Sequence, residues 1–308
     1  MPHNLQKTIN EPIEFKGVGL HNGIKVNLCL RPAKINEGIK FKRIDVDNHR
    51  SIIEANYKNV SSAVLCTKIE NSFGVSVSTI EHLMAAFYLE GIDNVLVEID
   101  APEVPIMDGS AFDFVEAIRT FGTKEQNQNK KFIKVLKKVE LKEGSKFISI
   151  EPFKKDLKID FEIVYENPLI RTRKKEFILS SGDQTSIYNS RTFCLYDDIS
   201  KIKSLGLAKG GSLENAIVVK ENRILNEDGL RSRDEFVSHK ILDCLGDLML
   251  SGYRIFGEIK TSQGGHQLTN VLLRKFLSEE SNWEFESFDL KQKDRKDSDY
   301  LSPIAVNA

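Results

Sequence analysis

The sequence predicts an α+β fold of two similar domains, each with two helices packed on a β-sheet, and an active site at the interface between them. Three observations carry this expectation. The chain has 308 residues, more than a single hydrophobic core usually fills. A polar stretch with no aliphatic residue, Gly122-Thr123-Lys124-Glu125-Gln126-Asn127-Gln128-Asn129-Lys130-Lys131, divides it. The order helix, strand, helix closes the sequence on both sides of that break.

In the first half, short strand-like runs at residues 25–30, 64–69 and 75–77 precede a helix over 79–90, whose apolar stripe is Ile80, Leu83, Met84 and Phe87. A strand at 94–99 and a helix at 111–121 follow. In the second half, strand-like runs at 132–141, 147–150, 157–164 and 216–219 lead to a helix at 233–250, a strand at 254–260 and a helix at 266–277. The expected division is a first domain over 1–122, a linker over 123–131 and a second domain over 132–288. A loose tail over 289–308 completes it, because Lys291 to Tyr300 is almost wholly charged or polar.

Composition narrows the function classes. Hydrophobic residues make up 40% and charged residues 29%, and no apolar run approaches the roughly 20 residues that span a bilayer. The amino-terminal residues show no targeting signal, so the cytoplasm is the expected compartment. The four cysteines, Cys29, Cys66, Cys194 and Cys244, form no close pair, which argues against a disulfide framework or a thiolate zinc site. A net charge of −1 and the lack of a basic cluster interleaved with aromatics argue against a nucleic-acid partner.

The chemistry concentrates on the paired helices. In the second-half helix Ile241, Leu242, Leu245, Leu248 and Met249 form the core stripe, while His239, Asp243 and Asp247 fall opposite it in one row. Four-residue spacing lets His239 and Asp243 share an ion. On the first-half helix His82 points away from the apolar stripe. If the halves are related by an approximate two-fold axis, His82 meets His239 and Asp243, giving three ligands with a fourth position open, the catalytic form of a zinc site. A histidine on a polar helix face is, however, more often simply solvated. Glu81 has its own alternative, since Ser78-Thr79-Ile80-Glu81 matches a capping box. His266 follows Gly264-Gly265 at a helix start, as a general acid or as an ordinary turn residue. Thr192, in Ser190-Arg191-Thr192-Phe193, is an oxyanion donor or, as periodicity alone favours, a partly buried threonine in a β-prone run.

Five segments together give a more specific signal: Thr79-Ile80-Glu81-His82-Leu83, Pro105-Ile106-Met107-Asp108-Gly109-Ser110-Ala111, Ser190-Arg191-Thr192-Phe193, His239-Lys240-Ile241-Leu242-Asp243-Cys244-Leu245-Gly246-Asp247 and Gly264-Gly265-His266. In this order they closely resemble the UDP-3-O-acyl-N-acetylglucosamine deacetylases, the zinc amidases of lipid A biosynthesis in Gram-negative bacteria. The resemblance runs from Gly19-Leu20-His21-Asn22-Gly23 to about Phe276. Asn22 stands where the family more often has threonine, and the 289–308 tail matches least.

The resemblance implies two α+β domains and a metal between them, held by His82, His239 and Asp243, with Zn²⁺ as cofactor and Fe²⁺ also accepted by such ligands. It implies Glu81 as general base, which makes the capping box secondary. It further implies His266 as catalytic histidine held by Asp247, Thr192 beside the developing oxyanion, and Lys240 and Phe193 as substrate contacts. An insert near 195–212, carrying Ile199 and ending in Gly210-Gly211-Ser212, is expected to form a hydrophobic passage for the acyl chain, with Phe161 lining the nearby surface. The implied partner is the acylated UDP-sugar, met by a cytoplasmic monomer with at most peripheral membrane contact. Two other readings stay open: two histidines and a carboxylate also suit a non-haem iron oxygenase, and the pocket would serve a non-catalytic binding module.

Overall fold

The computed structural model describes residues 5–288, so the expected tail over 289–308 lies outside the described residues. Its helices among those residues are α1 (Glu81–Glu90), α2 (Phe112–Phe121), α3 (Gln184–Tyr188), α4 (Tyr196–Ser204), α5 (Glu235–Met249) and α6 (His266–Leu277). The fold is mixed α and β, with helices packed on several sheets.

The two halves share a sheet topology. In the first, Ile13–Val18, Lys25–Pro32, Val95–Ile99, Ile39–Arg43 and Ile52–Glu54 lie side by side in that order. In the second, Val139–Glu143, Lys146–Glu151, Arg254–Ser262, Leu157–Ile163 and Arg173–Ile178 repeat it. Both run antiparallel, antiparallel, parallel, antiparallel along the series. The central strand of each sheet, Val95–Ile99 or Arg254–Ser262, is the one between the two helices of its half, α1 and α2 or α5 and α6. Strict alternation makes these strands: in Leu157–Ile163 the residues Leu157, Ile159, Phe161 and Ile163 are buried, and Lys158, Asp160 and Glu162 are only partly so.

Three sequence expectations change. The polar stretch read as a linker is a strand over Thr123–Asn129 that pairs antiparallel with Leu5–Ile9. Its side chains are polar because they hydrogen-bond instead of filling a core. Asn94 donates to both Gln6 and Gln126 at 2.8 and 2.7 Å, and Gln126 donates to the Ala33 carbonyl at 2.8 Å. Residues 132–141 form two strands, Phe132–Val135 and Val139–Glu143, which pair with different neighbours. Of residues 64–69 only Lys68 and Ile69 lie in a strand, Lys68–Glu70; Leu65 takes a left-handed φ of 63° that breaks the extended run.

Helices α1 and α5 pack directly on each other. Every α1 residue except Glu90 is buried, as is every α5 residue except Lys240. The polar rows of both helices therefore lie inside the protein. Gly246 allows the approach: a Cβ there would sit 2.0 Å from the Glu81 carbonyl oxygen. Alanine would gain about 1 kcal/mol in helix propensity, but overpacking against backbone costs roughly 1–3 kcal/mol. Gly246→Ala is expected to lower the unfolding midpoint by calorimetry; a midpoint at or above that of the parent would refute the close-packing argument.

Candidate active site

The packed α1–α5 pair brings His82, His239 and Asp243 together, all buried, with one donor atom from each within 4.8 Å of the others. Asp243 Oδ1 lies 3.6 Å from His82 Nε2 and 3.4 Å from His239 Nε2. The other oxygen, Oδ2, accepts a hydrogen bond from Lys240 Nζ at 2.8 Å. One oxygen of Asp243 is thereby left to the imidazoles.

The chain fixes the His239 imidazole from behind. His239 Nδ1 lies 3.0 Å from the Ser190 carbonyl and donates to it, which leaves the Nε2 lone pair facing the cluster. That carbonyl is held in turn by its neighbour Arg191, whose backbone N–H and Nε donate to buried Glu235 at 3.1 and 2.9 Å. Burial lowers the His239 pKa to about 3, so the ring is neutral. Burial also works against the Asp243 carboxylate, but its pKa is held well below the ordinary value, and with His239 neutral the Lys240 ammonium on Oδ2 is the positive charge beside it. Two imidazoles and an ionised carboxylate converging out of water make a donor set that suits a divalent metal such as zinc or iron(II).

Glu81 and His266 stand beside this cluster. Glu81 is 3% exposed, and burial raises its pKa. Its carboxylate accepts the backbone N–H of Thr67 at 3.0 Å, while α1 has Ile80 at its N-cap position without a side-chain cap and Ser78 donates to Pro102 instead. The capping box does not form. His266, the first residue of α6, follows Gln263 with its left-handed φ of 55° and the Gly264-Gly265 pair. Its Nδ1 lies 2.8 Å from Asp247, and its Nε2 lies 3.8 Å from Glu81 and 4.0 Å from Asp243. Burial opposes the imidazolium, but the Asp247 and Glu81 carboxylates overcome it and raise the His266 pKa to about 10.

Two adjoining cavities open from here. One of about 620 Å³ is lined by Glu81, His82, His239, Lys240, Asp243 and His266, together with Thr192 and Phe193. The second, about 370 Å³ and largely apolar, shares Thr192 and Phe193 and continues past Ile199, Ile202, Ala216 and Val218. Ser212 lines this second cavity; Gly210 lines neither. A Cβ on Gly210 would fall 2.3 Å from the Gly19 carbonyl oxygen, and its N–H donates to Leu20, so it joins the 195–212 segment to the 19–24 loop. Phe161 also lines neither cavity. It is 2% exposed because strand alternation turns it into the core with Ile159 and Ile163. Tyr165, just past that strand, lines the larger cavity with its ring 5.8 Å from Phe193.

Other site residues had no role expected from the sequence, although His21 and Asn22 fall in the segment where the resemblance begins. His21 lines both cavities, and neither ring nitrogen has a partner among the described residues. Buried Glu103 accepts the backbone N–H groups of His21 and Asn22 at 2.7 and 2.8 Å and the Thr79 hydroxyl at 2.9 Å, tying that loop to the approach of α1. Thr67 touches the carboxylates of Glu81 and Asp247 at once.

Residues 6–278 match the family model described as UDP-3-O-acyl N-acetylglycosamine deacetylase. The chain is 46% identical over 290 residues to the UDP-3-O-acyl-N-acetylglucosamine deacetylase of Pasteurella multocida, covering 93% of this chain and 94% of that one. It is 44% identical over 304 residues to the enzyme of that name from Histophilus somni and 42% identical over 304 residues to one from Haemophilus influenzae, each covering 98% of both chains.

Proposed function

The chain belongs to the UDP-3-O-acyl N-acetylglycosamine deacetylase family and deacetylates UDP-3-O-acyl-N-acetylglucosamine in lipid A biosynthesis, and from that premise we propose how its residues divide the work. The observation that carries the reading is the buried convergence of His82, His239 and Asp243 beside two further ionisable groups, Glu81 and His266. Zinc, or iron(II), held by the three ligands would polarise the acetamide carbonyl and lower the pKa of water toward about 7.

Glu81, fixed through Thr67 and made more basic by burial, takes the proton of the attacking water. The Thr192 hydroxyl donates to the oxyanion that forms on the acetamide oxygen; its backbone is pinned on both sides, by Gly109 at 2.7 Å and Ile217 at 2.8 Å. His266, held as the imidazolium by Asp247, delivers a proton to the departing nitrogen, so that acetate and the free amine separate. Lys240 touches Asp243 and lines the cavity, where it offers its ammonium to the substrate. The apolar cavity beside Ile199 and Ser212 takes the acyl chain.

Among the described residues no helix is long and apolar enough to cross a membrane, and the nucleotide-sugar substrate fits a cytoplasmic setting. A base and an acid flanking the ligand set favour hydrolysis over oxygenation and over binding alone.

The test is acetate release by metal-stripped protein, without oxygen, before and after zinc or iron(II) is restored. Activity is expected only with metal. Across a series of acyl chains, kcat/KM should rise by roughly fourfold per methylene, from about 0.8 kcal/mol of burial each, until the passage is full. Release without metal, or no dependence on chain length, would sink the reading.

A further inference from the structure

Thr67 is 2% exposed and lies in the irregular segment just before the strand Lys68–Glu70. Three of its polar groups are engaged at the site. Its backbone N–H donates to Glu81 Oε2 at 3.0 Å, its carbonyl accepts from the Ile80 N–H at 3.4 Å, and its hydroxyl donates to Asp247 Oδ1 at 2.6 Å. The first two bonds lock the residue against the start of α1. The third reaches α5, 180 residues away in sequence.

The two oxygens of Asp247 are thereby divided. Oδ1 accepts from Thr67 and Oδ2 meets His266 Nδ1 at 2.8 Å. A carboxylate that is 3% exposed and held at both oxygens has one orientation available. We propose that Thr67 is a positioning residue for the deacetylation: through one side chain and one peptide group it sets His266, by way of Asp247, and Glu81 in a fixed relation to each other. The inference rests on the proposed roles of Glu81 and His266. It adds that the base and acid are aligned by a shared residue of the first half, and not separately by their own helices.

The test compares Thr67→Val, Thr67→Ser, His266→Ala, Glu81→Gln and the double variant Thr67→Val/His266→Ala, each assayed for kcat, KM and bound metal. Valine keeps the shape and the peptide N–H but removes the hydroxyl, so kcat should fall about tenfold, the lower end for loss of an outer-sphere partner. KM and metal stoichiometry should stay at parental values, and serine should recover most of the loss. If the hydroxyl acts through His266, Thr67→Val adds nothing in the His266→Ala background. A parental kcat in Thr67→Val, an equal loss in both backgrounds, or a loss confined to KM or metal content would overturn the inference. Glu81→Gln separates the two levels. If it retains parental turnover, the assignment of the base fails; if it loses turnover while Thr67→Val does not, only the role of Thr67 fails.

Discussion

Asp243→Ala is expected to lose bound metal and, with it, more of kcat/KM than the roughly 10²–10³-fold that removal of one oxyanion donor costs. The expectation follows from how the ligand set is divided. His82 and His239 each offer one nitrogen, and Asp243 offers Oδ1 between them while Lys240 occupies Oδ2. Without the carboxylate, two imidazoles remain and the only formal negative charge in the set disappears. The Lys240 ammonium then lies near the vacated position without its partner, which further disfavours a cation there. The measurement is metal content per chain beside kcat/KM, with circular dichroism to confirm that α5 persists. Full metal occupancy together with normal turnover would show that the ligand assignment is wrong.

Much of this arrangement is legible in the sequence, for physical reasons that differ from residue to residue. The helix, strand, helix order is readable because long periodic segments such as 235–249 encode their apolar face locally. His239 and Asp243 are readable as a pair because a helix turn makes four-residue neighbours touch. Other features are not local. Strand Thr123–Asn129 looks like a linker, since its specification lies in backbone pairing with Leu5–Ile9 and in amide contacts with Asn94. Phe161 looks like a surface aromatic near the site, yet its place in the alternation of Leu157–Ile163 sends it inward and leaves Tyr165 at the cavity. Thr67 gives no signal because its significance depends on Asp247, which only the packing of α1 on α5 brings near. Gly246 permits that packing, and its necessity becomes visible only when the Glu81 carbonyl is known to lie against it.

His266→Ala is expected to separate chemistry from metal binding, keeping the metal while lowering kcat by about 10²–10⁴-fold, the usual contribution of a positioned proton donor. The geometry distinguishes this histidine from the other two. His266 Nδ1 is committed to Asp247, and its Nε2 is 3.8 Å from Glu81 and 4.0 Å from Asp243, beside the ligand cluster and not within it. The surrounding carboxylates raise its pKa to about 10 although burial alone would lower it, so near neutral pH it is the imidazolium, the form that the proposed proton transfer requires. Alanine removes that proton and leaves His82, His239 and Asp243 in place. Because the proposed role places the imidazolium at the breaking carbon–nitrogen bond, the loss should fall on kcat, with KM changed much less. If His266→Ala lost metal in step with activity, His266 would have to be counted among the ligands, and the protonation of the leaving nitrogen would need another source. Retained metal with unchanged kcat would remove it from the reaction altogether and leave Asp247 without a catalytic reason to be held at both oxygens.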